Sequence, residues 1–114
     1  MSNSTNSVTL VGRPGNNPII KEFNNGKMAR FSIAVNDQRY VNNQTLTETY
    51  WHNVVAWGKT AEAVQEVVKK GVKIQLEGKL VSRTWNDKSG LKHYITEIVL
   101  NTVELYGNAD NSMN

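Results

Sequence analysis

The stretch Glu77–Tyr94, EGKLVSRTWNDKSGLKHY, carries a long hairpin. On an alternating strand running into it, Lys73, Gln75, Glu77, Lys79, Val81, Arg83 and Trp85 point one way. Val72, Ile74, Leu76, Gly78 and Leu80 point the other way, as a core face. The first set is a cationic row that ends in a large aromatic, a surface that calls for a flat anionic cover. Asn86 to Gly90 is a polar turn ending in glycine, and the chain returns over about Leu91 to Tyr106.

The charge distribution has the same centre. Between Lys69 and Lys92 there are seven basic residues and two acidic ones, a local excess of five against a surplus of +3 for the whole chain. The remainder is therefore slightly acidic. A mild overall charge barely favours nucleic acid over other partners, whereas a concentrated stripe does. A solvated lysine face is the competing structural reading of the same stripe.

Outward from the hairpin, strand and turn signals alternate with one helical interruption. Ser7 to Val11 opens as a strand and ends in the turn cluster Gly12 to Pro18. Ile19 to Phe23 is extended, and Asn24, Asn25 and Gly26 form a turn. Ala29, Phe31, Ile33 and Val35 then alternate with Arg30, Ser32, Ala34 and Asn36, which predicts a half-buried strand. Asp37 to Thr47 is polar and reads as a hairpin arm or a loop, before a third strand at about Thr49 to Trp57. Thr60 is a candidate cap for a short helix with Ala61, Val64, Val67 and Val68 on one side. Lys69 and Lys70 suit its C-terminal dipole and Gly71 its left-handed stop.

Three strands, a helix and two strands is the order of an all-β OB-fold, a five-stranded Greek-key barrel with its helix between the third and fourth strands. Gly12 and Gly78 fall where a small closed barrel must bend. With 114 residues the chain makes one domain over residues 1–106, followed by a short polar tail expected to be disordered. No apolar run approaches a membrane-spanning length, and MSNSTNSV has neither signal-peptide nor transit-peptide layout, so an intracellular protein is expected. The absence of cysteine excludes a disulfide framework and thiolate metal sites.

In the third strand Trp51, Asn53, Val55 and Trp57 share one face, and Tyr50, His52, Val54 and Ala56 the other. Read from the residues alone, the tryptophan face is the better core candidate, because burying two indoles is worth several kcal/mol, or about 2–3 kcal/mol each. Trp85 sits among charges, which favours an exposed stacking role. Glu48, Glu77, Glu97 and Glu104 stand singly along the strands, without the clustered carboxylates a metal-dependent nuclease needs. Neither His52 nor His93 has metal-ligand spacing to other donors. No enzyme activity, metal or cofactor is expected.

Over about residues 7 to 106 the chain resembles the bacterial single-stranded DNA-binding protein family. The resemblance is carried by SVTLVGRPGNNP at Ser7–Pro18, the NNG turn at Asn24–Gly26, RFSIAV at Arg30–Val35, YWHNVVAWGKTAE at Tyr50–Glu62, KKGVKIQLEGKL at Lys69–Leu80 and RTWNDKSG at Arg83–Gly90, in that order and spacing. It implies that Trp51 and Trp85 stack on DNA bases, as does Trp57, which stands where the family usually has phenylalanine. This reverses the core reading of the tryptophan face. A further family tryptophan, early in the long second hairpin, falls opposite Arg39 or Tyr40, with Tyr40 favoured.

Binding of single-stranded DNA with little sequence preference follows, in replication, recombination and repair in the cytoplasm at the nucleoid. Phosphates would be tracked by Lys73, Lys79 and Arg83, then by Lys59, Lys70, Arg30, Lys21 and Arg13. Lys88 and Lys92 are candidates for a clamp from the hairpin tip. The resemblance also implies a homotetramer, with His52, Val8 and Val11 at its interface. The runner-up is a dimeric replication-restart accessory barrel that binds protein. The tail holds one acid, Asp110, and does not match the family's acidic tip, so recruitment of repair enzymes through such a tip is not implied.

Overall fold

A computed structural model describes residues 5–107; the polar tail expected beyond them lies outside the described residues. The elements in chain order are β1 (Val8–Pro14), β2 (Ile19–Phe23), β3 (Gly26–Val41), β4 (Gln44–Trp57), α1 (Lys59–Val67), β5 (Ile74–Asn86) and β6 (Lys92–Leu105). The sheet order β1-β5-β6-β4-β3-β2 closes through a β1–β3 pairing, so β1, β5, β6, β4 and β3 form a five-strand barrel. β2 is a short hairpin partner of β3 outside that ring. The helix thus joins the third and fourth barrel strands in chain order, as an OB-fold requires.

The interior is built from Ala29, Phe31 and Ile33 of β3, Val54 and Ala56 of β4, Ile74 and Leu76 of β5, and Ile98 and Leu100 of β6. Ala61, Val64 and Val68 close one end of the barrel from the helical segment. Two glycines let the ring close. A Cβ on Gly12 would overlap the Ala34 carbonyl, and one on Gly78 would overlap the Val99 carbonyl. A β-bulge at Glu77/Gly78 shifts the β5–β6 register at the same point.

Past these closures the strands continue as two arms, and the molecule measures 49 × 34 × 32 Å. β3 and β4 pair without interruption from Met28↔Trp57 to Val41↔Gln44, so Asp37 to Thr47 is an arm of sheet and not a loop. Its turn is Asn42–Asn43, both with positive φ (53° and 65°), the conformation of a type I′ hairpin that asparagine tolerates. The β5–β6 arm pairs out to Asn86↔Lys92. Leu80, expected on the core face, is exposed because β5 leaves the barrel beyond Gly78, and Val72 is exposed because it precedes the strand.

The helix begins one residue earlier than its expected cap and ends before the two lysines. Gly58 (φ 61°) is the N-cap and makes no side-chain bond. Thr60 lies inside the first turn, where its Oγ1 donates to the Trp57 carbonyl at 2.6 Å and accepts from the Trp57 N–H at 3.2 Å. It therefore fixes the end of β4. Lys69 and Lys70 fall beyond the extended C-cap Val68, away from the helix dipole. Gly71 is left-handed (φ 83°) but serves the following loop, donating its N–H to the Pro14 carbonyl. Among the described residues no helix is long and apolar enough to cross a membrane.

Candidate nucleic-acid interface

Register places the aromatics. In the β3–β4 ribbon Arg30↔Val55, Ala34↔Trp51 and Tyr40↔Thr45 project to one face. That face is the outside of the barrel, since Val54 and Ala56 of the opposite parity fill its interior. Trp51 and Trp57 are accordingly 59% and 54% exposed, which overturns the core reading drawn from residue types alone. Periodicity separates two faces but cannot say which one a closing sheet turns inward. Here the interior is filled by Phe31, Ile33 and the smaller aliphatic residues around them.

Each tryptophan has its own support. The distal edge of the Trp51 ring lies on the backbone of Gly15, where any Cβ would overlap it. The Gly15 loop is itself tied to β3: Gly15 N–H donates to the Ser32 carbonyl, and Asn16 Oδ1 accepts from Ser32 N–H and Oγ–H. Gly15 and Asn16 were not singled out from sequence, although the turn containing them was. Trp57 is held at its backbone by Thr60. Trp85, 49% exposed, stacks on His93 across the arm, with ring centroids 4.4 Å apart and planes 17° off parallel.

His93 is half-buried and tied into the hairpin turn. Its Nε2 lies 2.8 Å from Asp87 Oδ2, and Asp87 Oδ1 accepts from Ser89 N–H, Ser89 Oγ–H and Leu91 N–H. These bonds, from Ser89 and His93 first, lower the Asp87 pKa to about 2. Tyr40 stands in contrast. It is 79% exposed near the tip of the other arm, and among the described residues no ring contact involves it. Arg39 projects to the opposite face, where it pairs with Glu48 at 3.2 Å. Register therefore sets Tyr40, and not Arg39, on the Trp51 face.

The expected basic residues are spread over several elements and hollows of the surface. Arg13 and Lys73 line one concavity with Val11, Ala34, Asn36 and Gln38. Arg13 also donates to the Gly71 carbonyl at 2.8 Å, and the Lys73 ammonium lies 5.0 Å from the centre of the Tyr106 ring. Lys79 lines a second hollow beside Glu77 and Ser7. Lys59 opens the helix next to Trp57, Lys21 is exposed on β2, and Lys70 is exposed in the loop anchored by its N–H to Asn17 Oδ1.

Arg30 and Arg83 share one counterion. Both are bound to Glu97, which is 4% exposed and is the one buried charged residue among those described. Sequence reasoning treated Glu97 as isolated, because its partners lie 67 and 14 positions away along the chain. The expected interface residues Val8, Val11 and His52 are all half-buried, and Val8 also packs against the core and pairs with Gly78. Among the described residues no group of three or more histidines, cysteines or carboxylates is placed to hold a metal ion.

A closed five-strand barrel with this helix placement is an OB-fold, a scaffold whose strand face and loops bind oligonucleotides and oligosaccharides in other proteins. The chain belongs to the Single-strand binding protein family, whose family model matches residues 5–106. It is 41% identical over 106 residues to a single-stranded DNA-binding protein of Bacteroides thetaiotaomicron, covering 90% of this chain and 66% of that one. It is 37% identical over 113 residues to single-stranded DNA-binding protein 1 of Chlorobaculum tepidum, covering 96% of this chain and 70% of that one. Among solved structures, the Plasmodium falciparum SSB complex with ssDNA superposes with a TM-score of 0.79 at 31% identity, covering 92% of this chain and 97% of that one. A small single-stranded DNA-binding protein from Streptomyces coelicolor shares the fold, with a TM-score of 0.72 at 21% identity over 87% of this chain and 92% of that one.

Proposed function

We propose that this chain binds single-stranded DNA without sequence preference and protects it during replication, recombination and repair. The observation that carries the reading is that three tryptophans, the residue type with most to gain from burial, are each about half exposed on the outer face of a barrel whose interior is filled without them. Bases stack on Trp51, Trp57, Trp85 and Tyr40. Each base so stacked contributes about 1–3 kcal/mol and does so whatever its identity, since every base has a π-face. Lys73, Lys79, Arg13, Lys59, Lys70 and Lys21 meet phosphates, releasing counterions and making affinity fall with salt.

The relative from Bacteroides thetaiotaomicron and the Plasmodium falciparum complex, by their names, bind single-stranded DNA, which supports the same role here. The domain comprises residues 1–106, works in the cytoplasm and assembles as a homotetramer through surfaces that include Val8, Val11 and His52. Assembly lets one strand engage several barrels and multiplies affinity through linkage.

Titration of intrinsic tryptophan fluorescence with poly-dT, single-stranded RNA and duplex DNA at two salt concentrations tests the function. Strong quenching by poly-dT and weak binding to duplex are expected. Unchanged emission with poly-dT would favour a protein-binding barrel instead. Light scattering with and without oligonucleotide tests assembly, and a stable monomer in both states would exclude the tetramer.

A further inference from the structure

The buried carboxylate of Glu97 is gripped by two guanidinium groups. Arg83 grips it with two bonds, Nε to Oε1 and Nη2 to Oε2, both 3.1 Å, and Arg30 Nη1 reaches Oε2 at 2.8 Å. The three side chains come from β3, β5 and β6, and with Val55, Trp57, Val81 and Val99 they line one concavity of about 430 Å³. Two guanidinium groups share one negative charge, so the trio carries a net charge of one. The fork holds Glu97 below the usual carboxylate range against the opposing effect of burial and raises Arg83 further.

Such an arrangement suits flat recognition more than phosphate neutralisation. A guanidinium forked onto a carboxylate has little rotamer freedom left and shares its charge, but keeps a planar face beside an indole. We infer that Glu97 is a positioning residue that holds Arg83 and Arg30 as a rigid stacking platform next to Trp57, so that this concavity receives a base and not a phosphate. The inference rests on the single-stranded DNA reading and narrows it. The cationic term of binding then comes mainly from the lysines and Arg13, and the Glu97 cluster supplies a stacking contact that salt weakens less.

The test is poly-dT affinity as a function of salt for the wild-type chain, Arg83→Lys and Glu97→Gln. Arg83→Lys keeps the charge and loses the fork. It is expected to bind about tenfold more weakly at every salt concentration with an unchanged salt slope, the size of one lost base stack. Glu97→Gln frees two cations. Its expected signature is a steeper slope, by about 0.7 for one more neutralised phosphate, together with about tenfold weaker binding at high salt.

Wild-type affinity and slope in Arg83→Lys would overturn the inference by showing that Arg83 acts as a point charge. So would tighter binding of Glu97→Gln throughout the salt range. If Glu97→Gln does not fold, as judged by circular dichroism, Arg83→Lys decides alone. Failure of the wild-type chain to bind poly-dT would instead remove the single-stranded DNA reading itself.

Discussion

The two arms that extend from the barrel are built alike and finished differently. Both are uninterrupted antiparallel ribbons, and each carries one large aromatic on its outer face near the tip. On the β5–β6 arm that aromatic is anchored: Trp85 lies on His93, His93 reaches Asp87, and Asp87 gathers the turn around its carboxylate. On the β3–β4 arm Tyr40 makes no ring contact among the described residues, and the side-chain bonds nearby, Arg39 to Glu48, Tyr50 to Glu48 and Thr49 to Asn36, hold the ribbon but not the ring. A ring ordered before a ligand arrives loses less entropy on binding than a ring ordered by it. The anchored arm should contribute more affinity, and the unanchored one more adaptability.

Trp85→Ala should cause the largest loss, about 1–3 kcal/mol of poly-dT affinity, whereas Tyr40→Ala should cost about 1 kcal/mol or less. Equal losses in fluorescence or filter-binding titrations would break the comparison. Replacing Tyr40 by Trp should tighten binding by up to about 1 kcal/mol, through a larger π-face on an otherwise unchanged arm. No gain would show that the limit lies in the freedom of the arm and not in the size of the ring.

Acid should loosen the turn of the β5–β6 arm. The Asp87 pKa is depressed from 3.8 to about 2, so its anchoring is fully present above about pH 4 and is lost as pH falls through about 2. Emission of Trp85, read in a chain whose other two tryptophans are phenylalanine, should shift within that window, and Asp87→Asn should show the loosened state already at neutral pH. An acid shift that survives in Asp87→Asn would assign it elsewhere. The smallest effect belongs to the other turn: Asn43→Gly should stabilise the chain by about 0.5 kcal/mol or less, because glycine accepts the left-handed φ of 65° without strain. A thermal melt measures it, and a fall in Tm would show that the Asn43 side chain supports the turn.

Much of this architecture was legible in the amino-acid order. Alternation marked the core face of β3 at Ala29, Phe31 and Ile33 and of β5 at Ile74 and Leu76, and Gly12 and Gly78 marked the points where strands approach too closely for a side chain. Thr60 misled because a threonine before an apolar helical pattern has the look of a cap, and the backbone placed Gly58 there instead. The tryptophan face of β4 could not be oriented from residue types, since burial is worth most to the very residues left outside. Resemblance to a family supplied that orientation.

What the sequence determined by itself was local: the period of each strand, the positions of the turns and the concentration of positive charge around one hairpin, all properties of residues a few positions apart. The tertiary structure decided which charges remain available. Glu97 meets Arg30 from across 67 positions, and the His93 and Trp85 rings meet only because β5 and β6 pair in that register. Pairing of distant charges and rings depends on how the barrel closes, and a chain read in order shows the charges without showing which of them are already spent on each other.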